Sequence, residues 1–245
     1  MKVWWYRCAN FGDALTPYLF RKITGTEPEY ASPGTGGPIY CLTGSLIGSD
    51  LRDCVVWGLG AVHSGDCVVP HNNAQFISVR GPITQGKVIA AGYSCSTYGD
   101  PALLLPRYYN VSQTPKYELG IAPSWVDVLE VKSKYVDPRI LIIDTMGPTE
   151  VVIDQIRSCR RIITGCLHGL VTAVAYNIPV VMVKFSERMV GDGTKFRDFM
   201  LSIGHDTELI NMDTATSFEC MCDLTRVFDI KLDVDAFWAS CPFKT

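Results

Sequence analysis

The chain has 245 residues, of which 19% are charged and 47% hydrophobic, and a formal net charge of −3 at pH 7. That length allows one or two domains with a sizeable core, and that composition excludes a disordered chain. The slightly acidic balance argues against a nucleic-acid binder, which carries a basic stripe, and no apolar run reaches the ~20 residues of a membrane span.

Residues 3–6 read as a first strand. The apolar stretch around it is too short for a secretory signal, so a cytoplasmic location is expected. A helix over 13–23 follows, with Asp13 as a candidate cap. Strands are predicted at 38–42, 54–57 and 75–79, and Pro82 suits the first turn of the next helix. The stretch 106–116 is polar and reads as a linker. Beyond it, strands are predicted at 117–122 and 139–144, a helix over 149–159, and a short strand at 161–164. A helix over 167–176, a valine-rich strand at 178–184, and late helices starting near Lys195, Ser217 and Asp233 complete the chain. Strand–helix alternation with near-continuous apolar strands predicts an α/β protein with parallel sheets. We therefore divide the chain into two small doubly wound, Rossmann-like domains, 1–106 and 117–245, facing across a cleft. No sequence repeat relates them.

Ten cysteines are scattered along the chain. None forms a C-x-x-C pair or a zinc quartet, so they read as free thiols packed as small hydrophobes. No phosphate-binding G-x-x-x-x-G-K-[ST] loop and no G-x-S-x-G elbow is present, and Gly58-Leu59-Gly60 lacks the third glycine of a dinucleotide fingerprint. Asp233-Val234-Asp235 reads as a helix start and not a metal site. No metal is expected.

Open α/β sheets bind ligands at the carboxyl ends of their strands, and four polar clusters fall there. In Asn10-Phe11-Gly12-Asp13, glycine lets backbone approach a ligand, or the cluster is a plain turn with a helix cap. Arg80, in Ser78-Val79-Arg80-Gly81, either grips a carboxylate or phosphate or closes a strand-end salt bridge. His168, between Gly165 and Gly169 at a helix start, is a candidate general acid or base, or a histidine bonded to backbone. Lys195 and Arg197, after Gly191-Asp192-Gly193-Thr194, put positive charge near another helix start; a closing loop or a surface cap fits them. His63, His71 and His205 lie in less convincing contexts.

Together with Tyr98-Gly99-Asp100-Pro101 and Leu167-His168-Gly169, these clusters resemble the polysaccharide pyruvyl transferase family in order and spacing, in particular its short exopolysaccharide branch. The resemblance implies a two-domain fold of the glycosyltransferase B type, with the first domain on the acceptor side and the second on the donor side. It also implies transfer of pyruvate from phosphoenolpyruvate to two sugar hydroxyls as a cyclic ketal, with no further cofactor. Arg80, His168 and Lys195 stand at the family's functional Arg, His and Lys, and so read as catalytic. Asn10, Gly12, Asp13, Asp100, Cys166, Gly169 and Arg197 read as substrate-binding. A glycan or lipid-linked sugar is the expected acceptor, and a homo-oligomer is compatible with the sequence.

One position departs from the family. Many members carry arginine two residues before the motif histidine, where this chain has Cys166. With one cation fewer, a nucleotide sugar becomes the alternative donor. The protein would then be a glycosyltransferase with Asp13 or His168 as base. A sugar-binding module with a degenerate cleft is the non-enzymatic alternative.

Overall fold

The computed structural model describes residues 1–70, 73–212 and 216–244. Two parallel sheets organise them. The first is built from β1 (Lys2–Val3), β2 (Glu29–Tyr30), β3 (Ile39–Cys41), β4 (Cys54–Trp57), β5 (Gln75–Val79) and β6 (Thr97–Tyr98), in the order β2-β1-β3-β4-β5-β6. The second holds β7 (Leu119–Ala122), β8 (Ile140–Ile142), β9 (Ile162–Thr164), β10 (Val180–Lys184) and β11 (Ile210–Asn211), in the order β11-β10-β9-β7-β8. All their pairings are parallel. The α/β class and the two Rossmann-like sheets agree with the sequence expectation.

Both sheets follow one doubly wound order. Counting strands from the start of each, the second strand lies on one side of the first, and the third and later strands lie on the other. The order therefore reverses between β1 and β3 in one sheet and between β7 and β9 in the other. At such switch points, loops leaving adjacent strands part and open a crevice.

The strand interiors explain their own burial. Cys54-Val55-Val56-Trp57 and Leu119-Gly120-Ile121-Ala122 are buried at every position, as strands covered on both faces require. Helix α1 (Phe11–Thr24) buries Phe11, Leu15 and Leu19 along one face, the i, i+4, i+8 spacing of a helical stripe. Its cap is Asn10, whose side chain accepts from Gly12 N at 2.9 Å. Asp13 thus sits inside the first turn, not at the cap, and accepts from Asn10 Nδ2 at 3.1 Å. Strand β1 ends at Val3, and Trp4, Trp5 and Tyr6 lead out of the sheet.

Several features bind the two halves together. One buried cluster runs from Val3, Phe11 and Trp57 to Ile162, Val174 and Phe199. Helix α9 (Val234–Ala239), begun by Asp233 as cap, returns to the first sheet, where Phe237 stacks on Trp57 with ring centroids 4.7 Å apart. The polar stretch 106–116 is fastened down. Tyr109 Oη donates to Asp154 Oδ2 at 2.9 Å and Gln113 Nε2 to Asp154 O at 2.9 Å, both on helix α5 (Thr149–Arg157).

The tightest link is polar. Helix α2 (Pro82–Ala90) begins at Gly81 with no cap of its own. Asp198, on helix α7 (Thr194–Ser202), supplies one. Its carboxylate accepts from Ile83 N at 2.9 Å, Thr84 N at 3.1 Å and Thr84 Oγ1 at 2.6 Å, and pairs with Arg80 at 3.3 Å. Arg80 is 1% exposed and Asp198 is fully buried. Removing one partner of such a pair strands the other charge and costs about 3–5 kcal/mol. Asp198→Ala should therefore lose that much in urea unfolding. Asp206→Ala, which deletes an exposed pair with Arg197, should change stability by less than about 1 kcal/mol. Equal losses in both variants would show that Asp198 does not staple the halves.

Candidate active site

The loops at the two switch points line one cavity of roughly 650 Å³. Tyr6, Arg7, Cys8 and Asn10 follow β1, and Ser45 follows β3. From the other sheet, Ser124 and Trp125 follow β7, Thr145 follows β8, and Cys166 and His168 follow β9. Lys195, at the start of α7, closes one side. A backbone bond from Phe11 N to Thr145 O, 2.9 Å long, joins the walls.

His168 lies in the first turn of helix α6 (Leu167–Ala175) and is 6% exposed. Its Nε2 stands 3.6 Å from Asp100 Oδ2, and neither atom has another partner. The other oxygen of Asp100 accepts from Ala102 N at 2.9 Å, which anchors the carboxylate. The Nδ1 edge of the ring faces Gly12, where a Cβ would lie 2.3 Å from Nδ1. Only glycine permits this approach. A carboxylate behind one ring nitrogen fixes the orientation of an imidazole and leaves the other edge for proton transfer.

Asp13, Cys166 and Lys195 are partly buried around this ring. Burial pushes the Asp13 carboxyl up, and His168 works against that shift. Burial also pushes the Cys166 thiol up, opposed by the amides of Gly169 and His168 and by the charge of Lys195. Burial lowers Lys195, Cys166 opposes that shift, and Arg80 adds to it. The Lys195 ammonium donates to Val190 O at 2.8 Å.

The two helix starts at the cavity differ. Helix α1 is capped by Asn10 and carries Asp13 in its first turn. Helix α6 has no acidic residue in its first turn and no side chain that caps it; the Cys166 sulfur near its amides is a weak acceptor. Uncapped helix amides favour an anion.

Four sequence-derived assignments are corrected here. Arg80 does not reach the cavity. It donates to Ser45 Oγ at 2.8 Å and Ala61 O at 2.5 Å behind the wall. Gly60 leaves room for the guanidinium, since a Cβ there would lie 2.1 Å from Cζ; this accounts for a glycine of Gly58-Leu59-Gly60. Asp100 pairs with His168 and does not line the cavity. Gly169 packs on β9, where a Cβ would meet Thr164 Oγ1 at 2.6 Å. Arg197 binds Asp206 at 3.0 and 3.1 Å and lines a separate groove of about 530 Å³ with Lys184 and Asn211. The structure brings together Asn10, Gly12, Asp13, Cys166, His168 and Lys195. Sequence reasoning missed Ser45, Ser124, Trp125 and Thr145, although each lies within four residues of a strand end. His63 pairs with Asp66 and His205 meets Asp229 O, both away from the cavity; His71 lies outside the described residues. Among the described residues no three metal-binding side chains gather, and no helix is long and apolar enough to cross a membrane.

Residues 69–186 match the family described as polysaccharide pyruvyl transferase. The match spans 118 of the chain's 245 residues. The match holds Arg80, Asp100, Cys166 and His168; Asp13 and Lys195 lie on either side of it. Succinoglycan biosynthesis protein ExoV of Rhizobium meliloti (strain 1021) is 29% identical over 236 residues, 89% of this chain and 69% of that protein. Uncharacterized protein L143 of Acanthamoeba polyphaga mimivirus is 25% identical over 204 residues, 80% of this chain and 71% of that one. The solved structure of protein KP1_0663 from Klebsiella pneumoniae subsp. pneumoniae NTUH-K2044 aligns with a TM-score of 0.49 at 11% identity, covering 86% of this chain and 92% of that one.

The Gly12–His168 approach yields a prediction. Gly12→Ala should displace the imidazole and lower turnover about 10²-fold, the effect of misplacing a reacting group by about 1 Å. Turnover and melting temperature measured together separate this from unfolding. A folded variant at wild-type rate would release His168 from the mechanism.

Proposed function

We propose that the protein transfers pyruvate from phosphoenolpyruvate to two hydroxyls of a sugar, forming a cyclic ketal. The observation that supports this most directly is the pairing, in one cavity, of an uncapped helix start and a lysine with His168 and Asp13. The first pair suits a donor bearing a carboxylate and a phosphate. The second suits proton transfer.

In this reading the donor's anionic groups lie at the amides of α6 and the ammonium of Lys195. A proton is delivered to the methylene carbon, and the first sugar hydroxyl adds to the neighbouring carbon as a base takes its proton. The second hydroxyl then displaces phosphate, and its proton leaves with the products. Diol and phosphoenolpyruvate thus become ketal and inorganic phosphate, with no redox change. His168, backed by Asp100, is assigned the proton transfer at the attacking hydroxyl. Asp13, whose carboxyl burial favours in the protonated form, is assigned delivery to carbon.

Calorimetric titration with phosphoenolpyruvate and with UDP-glucose tests the donor. Phosphoenolpyruvate should bind and UDP-glucose should not; the reverse would replace this reading with a glycosyltransferase. Because burial lowers Lys195, its ammonium is lost on the alkaline side below the usual ~10.4. Affinity for phosphoenolpyruvate should therefore hold near neutrality and fall as pH rises through that lowered value. Lys195→Met should weaken binding about 10- to 100-fold at pH 7, the loss of one charged hydrogen bond, and abolish the alkaline fall.

His168→Ala should lower ketal formation, read as a pyruvate-sized mass gain on the glycan, by about 10²–10⁴ in a folded protein. Undiminished turnover would transfer the base role to Asp13.

A further inference from the structure

The acceptor also needs a surface, and the tryptophans indicate one. The chain has five. Trp57 is fully buried, and Trp4, Trp5 and Trp238 pack against buried clusters. Trp125 is 53% exposed. Among the described residues it joins none of these clusters and makes no ring contact or hydrogen bond. It nevertheless lines the cavity, directly after β7 at the second sheet's switch point. Tyr6, 59% exposed, lines the same cavity from the first sheet's switch point. Each half of the molecule thus contributes one uncovered aromatic ring to the rim. The groups assigned to chemistry (Asp13, His168 and Lys195) are partly or wholly buried below it.

We propose that Trp125 and Tyr6 form a stacking platform for the sugar acceptor, an inference that rests on the glycan-transfer reading above. An indole left in water by its own fold is not explained by packing. Aromatic faces carry negative charge density, and a pyranose ring presents a face of C–H bonds that carry slight positive charge. Stacking leaves the sugar hydroxyls at the ring edge, free to reach into the cavity. Ser45 lines that cavity, and its hydroxyl, which accepts from Arg80, keeps its own proton to donate to a sugar oxygen. The donor of the proposed reaction has no ring, so the platform serves the acceptor.

The test is fluorescence and calorimetric titration of the full chain with lactose and with cello-oligosaccharides of two to six units. Wild type should bind at least one of them with a change in tryptophan emission. Trp125→Ala should weaken that binding roughly five- to tenfold, and Trp125→Phe should retain most of it. Tyr6→Ala should weaken it further in the double variant. Melting temperature and phosphoenolpyruvate affinity should stay unchanged, because neither ring has a structural partner or reaches the donor groups. Wild-type glycan affinity in Trp125→Ala, or no binding of any of these sugars by wild type, overturns the platform. Loss of UDP binding in Trp125→Ala, with sugar binding unaltered, also overturns it by assigning the ring to a nucleobase. Failure of phosphoenolpyruvate to bind, with the sugar results as expected, removes the donor reading and leaves the platform standing.

Discussion

The structure depends on one buried carboxylate. Asp198 belongs to α7 but completes α2, taking two of its first amides and the Thr84 hydroxyl while pairing with Arg80. A buried charge is tolerated only when its partners are held in place, so the start of α7 is fixed against the first sheet. Lys195 lies on that start. The loop before it is held at a second point, where Asp192 accepts from Ser64 N at 2.8 Å and Ser64 Oγ at 2.6 Å. The cavity therefore receives its lysine from a segment clamped on both sides.

The second organising constraint is topological. No sequence repeat relates the halves, yet both sheets reverse their order next to their first strand. Placing the two reversals opposite each other brings four strand ends, β1, β3, β7 and β9, to one space. Helix starts arrive with them, α1 after β1 and α6 after β9. The N-terminal dipole of α1 is already met by Asn10 and Asp13, whereas that of α6 is left open. The cavity is polarised as a result, with a carboxyl on one wall and unanswered amides on the other. The close approach of Gly12 and His168 occurs where these walls meet.

Much of the fold was legible because burial leaves a mark on composition. Strands β4 and β5 agree residue for residue with the predicted runs, and α6 and β10 fall within a residue or two, since apolar residues dominate each. The two-residue strands β2, β6 and β11 were not legible. They lie at sheet edges, and Glu29-Tyr30, Thr97-Tyr98 and Ile210-Asn211 become strands through pairing rather than through any apolar run. The site divides in the same way. Asp13, Cys166, His168 and Lys195, which belong to polar clusters that the sequence places after predicted strands, all line the cavity. Which way an arginine turns is not legible in that placement. Arg80 faces inward because its partner is Asp198, far along the chain, and Arg197 faces outward because Asp206 holds it. Trp125 carried no motif, and its significance lies in the contacts it lacks.

Protonation in the cavity follows from the same burial. Asp13 is pushed towards its neutral acid and Cys166 towards its neutral thiol, while Lys195 is pushed towards its neutral amine. Desolvation disfavours whichever form is charged, so burial drives the groups of this site towards neutrality. An anionic donor at the α6 amides reverses this balance for the lysine, because a nearby negative charge favours the ammonium. The same negative charge pushes the carboxyl further in the direction that burial already sets. On the proposed reaction, one arrival would therefore set both states that the chemistry needs, a charged lysine to hold the donor and a protonated Asp13 to act on it. His168 is placed differently, with its Nε2 edge 3.6 Å from Asp100 Oδ2 and its Nδ1 edge against Gly12. A buried carboxyl and a carboxylate-backed imidazole, in distinct settings, thus supply the acid and the base of the proposed reaction.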